Sequence, residues 1–380
     1  MAAGFLLSGF LFALLGALLP VWGYYRDPPA FDTIGNYFLS LAAGVIAAAR
    51  LAHVLLRRRG LKFLSLCSCA LGCGSLLFLA AVGPPASSLW RMLGLVMIGL
   101  ALGLLNTALF HAISPVYQRN AAGTVNRCGI FYGLGCLLAT LLVAGTLSAY
   151  TIGSILIFMA TVPGYFLGIW ARQHFPNARN TDKPDFRQVL RDFRSPGAVM
   201  FALLLFLQFG NEWSIAGWLS LFLIRRVGLS PQTALRLLAL YWVSLLVGRV
   251  AAVALLPRVR HGRLLLTSVL LALFGYVLVY STNNAFGGAV GALSVGAGYA
   301  SIYPLVVEKI GRRFPYYHPG FFNGIFSLGL TGGLLAPATL GYLAAWLDDI
   351  AVVMSLPLLG TGLVCALLLL IWLESKVTGR

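Results

Sequence analysis

The chain has 380 residues, 59% of them hydrophobic and only 10% charged, whereas soluble proteins carry about 25% charge. That balance excludes an ordinary water-soluble enzyme and points to helices that cross a bilayer, each satisfying its own backbone hydrogen bonds. The net charge of +17 is no nucleic-acid footprint, because the basic residues are spread over short connectors, where an orientation signal lies.

Crossing about 30 Å of hydrocarbon takes about 20 apolar residues. Twelve such spans are predicted, at residues 4–24, 33–56, 62–83, 91–115, 127–149, 152–173, 198–224, 233–257, 263–281, 284–308, 320–345 and 349–373. The first resembles the apolar core of a signal peptide. It lacks a basic n-region and a clear cleavage site, so it is read as a retained membrane helix. The connectors are short except Gln173 to Pro196, which is polar and carries Arg179, Lys183, Arg187, Arg191 and Arg194. Within it, Phe186 to Phe193 is expected to form a short amphipathic surface helix. The expected fold is an all-α polytopic membrane protein made of two pseudo-symmetric six-helix bundles. Residues 1–174 form the first bundle, 175–196 a cytoplasmic loop and 197–380 the second.

Alternate connectors hold 20 and 5 of the 27 Lys and Arg residues, with Arg50 and Arg249 left inside spans. The positive-inside rule then places both termini in the cytoplasm, and the expected setting is a bacterial inner (plasma) membrane. The six cysteines lie in apolar stretches. Cys67, Cys69 and Cys73 read as small packing residues rather than as a metal site.

The two halves repeat one another. Arg50 before the connector after span 2 matches Arg249 before that after span 8. Gly94 and Gly99 match Gly291 and Gly296. Gly123-x-x-Asn126 before span 5 matches Gly320-x-x-Asn323 before span 11. The offset stays near 197–199 residues. Duplicated units of this kind are typical of secondary transporters, whose substrate site lies near the midplane between the halves.

Twelve spans, a basic central loop and the Arg/Gly signals after spans 2 and 8 resemble the major facilitator superfamily over essentially the whole chain. Span 7 reads Gly210-Asn211-Glu212-Trp213-Ser214-Ile215-Ala216-Gly217-Trp218-Leu219, similar to the Gly-x-Glu-x-x-x-x-Gly-Trp pattern of the fucose permease-like sugar transporters. Tyr303-Pro304, Gly311-Arg312-Arg313-Phe314-Pro315, and Gly329-x-x-Gly332-Gly333 with Pro337 resemble the same group. The resemblance implies the major facilitator fold and alternating access, with substrate between helices 1, 4, 5, 7, 8, 10 and 11. Two departures stand out: the connector Leu56–Lys62 has no Asp, and span 1 has no acid, where proton-coupled members of the group often have one in the N-terminal half.

Glu212 is the most informative residue. An ionisable group at the centre of a span costs about 2.5–3.5 kcal/mol on insertion scales and usually faces a protein or water-filled interior. Three roles are open to it: substrate ligand, proton carrier, or protonated helix glue. Gln208, Asn211, Trp213 and Trp218 could bond or stack on a solute beside it. The five-residue spacing of the tryptophans puts them on different sides of the helix. Asn106, Tyr132, Tyr241, Tyr299 and Tyr303 are further cavity candidates. Arg50 and Arg249 are expected at the cytoplasmic gate, where a substrate role would favour an anionic solute. Glu308 is expected to pair with Arg312 at i, i+4. Asn126 and Asn323, at the starts of spans 5 and 11, read as capping or gating residues.

No nucleotide-binding loop, metal-ligand cluster or nucleophile–base pair occurs, so no enzyme activity, cofactor or metal is expected. The leading expectation is a secondary transporter of a small sugar-like solute, with proton coupling through Glu212. The alternatives are an exporter of lipophilic or drug-like compounds and a non-transporting receptor or scaffold. The expected partners are the solute, protons and the bilayer, with no nucleic acid. The duplicated halves already supply a two-fold arrangement, so a monomer is expected.

Overall fold

The computed structural model describes residues 2–26, 29–117, 119–175, 187, 191, 193–256, 258–314 and 324–378. Among them, eleven helices are long and apolar enough to cross a membrane. One of these, Phe31–Ala81, is 51 residues long and is broken at Gly60, where φ is 80° and ψ is 178°. A glycine tolerates that left-handed φ without steric penalty, so the run is two spans, α2 (31–59) and α3 (61–81). The rest are α1 (Ala2–Val21), α4 (Ser88–Tyr117), α5 (Ala121–Thr146), α6 (Ile152–Arg172), α7 (Pro196–Val227), α8 (Pro231–Leu255), α9 (His261–Ser281), α10 (Ala285–Arg313), α11 (Ile325–Leu347) and α12 (Val352–Thr378).

Local sequence sets the ends. Asn120, Thr151, Ser230 and Asn284 each accept a backbone N–H three residues on, capping α5, α6, α8 and α10. Such caps satisfy N–H groups that have no partner within the helix. Gly228, in the left-handed region, closes α7. Asn126 was expected at the start of span 5; the helix begins earlier and Asn120 is its cap, so Asn126 sits in the second turn. The expected surface helix at Phe186–Phe193 falls almost wholly outside the described residues, and Asn323 lies outside them too.

The packing repeats as the glycines do. In the first half α1 packs on α5, α2 on α4 and α3 on α6; in the second half α7 packs on α11, α8 on α10 and α9 on α12. A Cβ added to Gly99 of α4 would lie 2.2 Å from the Leu41 carbonyl oxygen of α2. Its counterpart Gly296 of α10 would meet the Tyr241 carbonyl oxygen of α8 at 2.4 Å. Small residues let helix backbones approach closely in lipid, and both halves use them at the same joint.

The halves meet along α1–α7, α2–α11 and α5–α8. At the end of the bundle where α1 and α7 finish, contacts are dense. Ser220 Oγ donates to the Gly16 carbonyl at 2.9 Å, Arg225 Nη1 to that of Tyr25 at 3.1 Å, and Tyr342 Oη to Asn36 Oδ1 at 2.6 Å. Arg91, at the predicted start of span 4, lies inside α4. It is 6% exposed, donates from Nε to Tyr37 Oη at 2.7 Å and stacks on the Trp22 ring. At the opposite, basic end a cleft of about 390 Å³ opens between the halves, lined by Asn120, Gly123, Asn126, Arg127, His261 and Glu308 among others.

Among the described residues, two further acids lie in helices besides Glu212 and Glu308. Asp32 opens the helix at Phe31. Glu374, beyond the predicted end of span 12, receives two hydrogen bonds from Arg313, at 2.8 and 2.6 Å. The α10 and α12 ends are joined by that bidentate pair, the strong geometry for Arg and carboxylate.

Candidate functional site

A central cavity of about 150 Å³ lies where the two halves meet. Its walls come from α1, α4, α5, α7, α8, α10 and α11, the seven helices named from the sequence. The space exceeds what one water needs, and aromatic rings line most of it: Phe5, Phe12, Phe110, Tyr132, Phe209, Trp213, Tyr303 and Phe326. Three strongly polar side chains reach it: Asn106 from the first half, and Glu212 and Arg249 from the second.

Glu212 is 7% exposed and Arg249 5%. Arg249 Nη2 lies 3.8 Å from Glu212 Oε1, a charge contact too long for a hydrogen bond. Arg249 Nε is buried without a hydrogen-bond partner. The guanidinium is seated against Gly129 of α5, where a Cβ would come within 1.4 Å of Nη1. One residue's backbone completes the joint: the Arg249 carbonyl accepts from Asn126 Nδ2 at 2.8 Å. Arg249 therefore touches the other half of the molecule through both its side chain and its main chain. On the facing wall, Ser8 Oγ donates to Asn106 Oδ1 at 2.7 Å, which fixes the amide with its NH₂ group unclaimed by that bond.

The ten substrate candidates divide evenly. Glu212, Trp213, Asn106, Tyr132 and Tyr303 line the cavity; Gln208, Asn211, Trp218, Tyr241 and Tyr299 are absent from its walls. Trp213 packs on Phe12, ring centroids 4.7 Å apart. Trp218, five residues on, turns to the closed end. There it stands against Phe31 and Phe38 of α2 and donates to the Pro337 carbonyl at 2.9 Å. Asn211 Nδ2 bonds Thr361 Oγ1 of α12 at 3.2 Å. Tyr299 Oη reaches Tyr276 Oη at 3.1 Å and Thr361 at 3.2 Å, so these polar groups tie helices within the second half. Gln208 Nε2 and Tyr241 Oη are buried without hydrogen-bond partners.

The gate candidates also divide. Arg50 and Arg249 were matched across the repeat, yet Arg50 is exposed on α2 and Arg249 is buried in the cavity. The glycine pairs keep an offset of 197, which aligns Arg249 with buried Ala52 instead. Two residues rotate a helix by about 200°, enough to move a side chain to the opposite face. Glu308 pairs with Arg312 and also with His261 Nδ1 at 3.1 Å. Sequence reasoning passed over His261, which precedes the predicted span 9 and stands at the first residue of α9, facing the end of α10.

No protein-family profile matches the chain. The chain is 25% identical over 316 residues to an uncharacterized MFS-type transporter of Yersinia pestis, covering 82% of this chain and 80% of that one. Among solved structures it matches a D-xylose-proton symporter with a TM-score of 0.73 at 14% identity, over 96% of this chain and 95% of that one. It matches the nucleoside transporter NupG at 0.68 and 14%, over 97% and 98%. It matches FucP, a major facilitator superfamily transporter in the outward conformation, at 0.63 and 16%, also over 97% and 98%. At these identities the solved structures speak for the fold, and they do so along nearly the entire length. The chain thus shares the fold of major facilitator superfamily transporters along nearly its whole length, and over most of it is similar in sequence to a curated transporter of that type.

Proposed function

We propose that the protein carries a small polyhydroxylated, sugar-like solute by alternating access, with Glu212 taking up the coupling proton. The observation that carries this reading is the central cavity: a carboxylate and an amide face one another across an aromatic-walled space at the junction of the halves. A sugar ring offers an apolar C–H face to such walls and hydroxyls to Asn106 and Glu212. The FucP structure is described as a fucose:proton symporter of E. coli and another neighbour as a D-xylose-proton symporter, in line with hydroxylated solutes moved with protons.

In this reading residues 1–174 and 197–380 rock about the site. The basic end faces the cytoplasm on the charge bias. The state represented is shut at the outer end by the α1–α7 and α2–α11 contacts and open toward the cytoplasm through the cleft at Glu308. Glu212, Asn106, Trp213, Tyr132 and Tyr303 contact the solute. Asn126, Arg249, Glu308 and Arg312 work the inner gate.

The test is uptake into proteoliposomes of fucose, xylose, glucuronate, a nucleoside and a lipophilic cation, with and without an inward proton gradient. One sugar should accumulate saturably with the gradient. Glu212→Gln should abolish gradient-driven accumulation while the protein still folds. Unchanged accumulation and unchanged pH dependence in that variant would remove Glu212 from the mechanism.

A further inference from the structure

The charge arrangement in the cavity points to a narrower class of cargo, and it rests on the sugar-like reading above. Around Glu212 the ionisable neighbours are Arg249 and the phenols Tyr132, Tyr241, Tyr276, Tyr299 and Tyr303, with the Cys128 and Cys136 thiols near Arg249 on α5. Phenols and thiols are neutral at neutral pH. Of the other helices packed against α7, α1 has no ionisable side chain. The single tyrosine of α11, Tyr342, is bonded to Asn36 at the closed end. On α12, Glu374 is held by Arg313, Lys376 sits over Trp372, and Cys365 is a free thiol. Arg249 is thus the charge that compensates Glu212.

That compensation is loose. The contact is 3.8 Å, Arg249 Nε has no partner, and a guanidinium carries five N–H donors in a planar fork. A fork with unused donors, buried beside a ligand-sized space, is suited to a second carboxylate. Protonating Glu212 while a neutral solute is bound would strand the buried Arg249 charge, which is costly. Protonating it while an anionic solute is bound leaves the site as neutral as before.

We infer that the cargo is a sugar acid, a polyhydroxylated monocarboxylate, whose carboxylate replaces that of Glu212 on Arg249. In the step, one proton from solution forms an O–H bond on Glu212, and the solute carboxylate takes over the guanidinium. No other bond forms or breaks, and the pair that crosses, one anion with one proton, carries no net charge. Transport is therefore electroneutral. Asn106 on the facing half and the aromatic walls hold the hydroxylated body.

The experiment uses the full-length protein in detergent, weakly buffered near neutral pH with an indicator dye, titrated with D-glucuronate, D-glucose and benzoate. Glucuronate should saturate and draw in on the order of one proton per solute bound. Glu212→Gln should bind it without proton uptake. Arg249→Gln should weaken it by at least about tenfold, with Arg249→Lys partly restoring binding; thermal unfolding of each variant reports folding. In proteoliposomes, glucuronate uptake should be the same with and without an imposed membrane potential. Glucose binding as tightly as glucuronate without proton uptake overturns the inference and leaves the sugar-like reading standing. Benzoate binding with proton uptake, and neither sugar, keeps the anion exchange and removes the hydroxylated cargo. A folded protein that answers none of the three overturns the inference as stated.

Discussion

At the scale of the residue, span 7 places Trp213 and Trp218 about 140° apart on the helix, and that rotation separates a cavity wall from a seal. Trp213→Ala should weaken solute binding with little change in melting temperature. Trp218→Phe should do the reverse. It removes the bond to the Pro337 carbonyl, a loss on the order of 1 kcal/mol in a membrane bundle, and leaves the cavity lining untouched. Parallel thermal unfolding and binding measurements on the two variants check both. Gly129→Ala offers a third test: the new Cβ would occupy the place of Arg249 Nη1. The guanidinium must shift, so solute binding should fall by about tenfold or more, the range for disturbing a buried charge contact. Binding at the original strength would show that Arg249 does not need its present seat.

At the scale of the element, helix ends and joints were largely written locally. Caps at Asn120, Ser230 and Asn284 follow from short side chains that accept backbone N–H groups. Gly99 and Gly296 were legible as a repeat because they recur at one offset; that they hold α2–α4 and α8–α10 together appeared only once the helices were placed. Gly135 and Gly332 share the same offset and do the same for α1–α5 and α7–α11, with Cβ positions 1.9 and 2.0 Å from facing carbonyl oxygens. Gly99→Leu should prevent accumulation of folded protein, because the obstacle is backbone. Gly168→Leu, with nothing within 4 Å, should be tolerated. Yield of monodisperse protein from membranes measures both, and equal yields would refute the packing argument.

At the scale of the whole molecule, the same close-approach logic acts between halves. Gly16 of α1 faces the Ala216 carbonyl oxygen of α7, 2.2 Å from where its Cβ would be, inside the closed end of the bundle. Gly16→Val should leave each half intact and hold the halves apart at that end. A cysteine at Ala338, beside Gly35 of α2, should then react faster with a membrane-impermeant maleimide from outside than it does without Gly16→Val. A cysteine at Ala122, in the opposite cleft, should react more slowly. No change at either position would mean that Gly16 does not belong to a moving contact.

Span number, the repeat and the cavity-facing role of Glu212 were legible in the sequence because they depend on run length, offset and the cost of burying one acid in lipid. Which neighbours share the cavity with Glu212 was not. Gln208 stands one turn away on the same helix and still misses the wall, and Asn211 beside it turns to α12. Arg249 stands in the partner helix and reaches the cavity. A duplicated chain of twelve spans was readable before any helix was placed, since hydrophobic length and glycine spacing act within single helices. That Arg249 of α8 comes to face Glu212 of α7 emerges only on folding, because helix rotation and crossing are set by contacts between segments far apart in the chain.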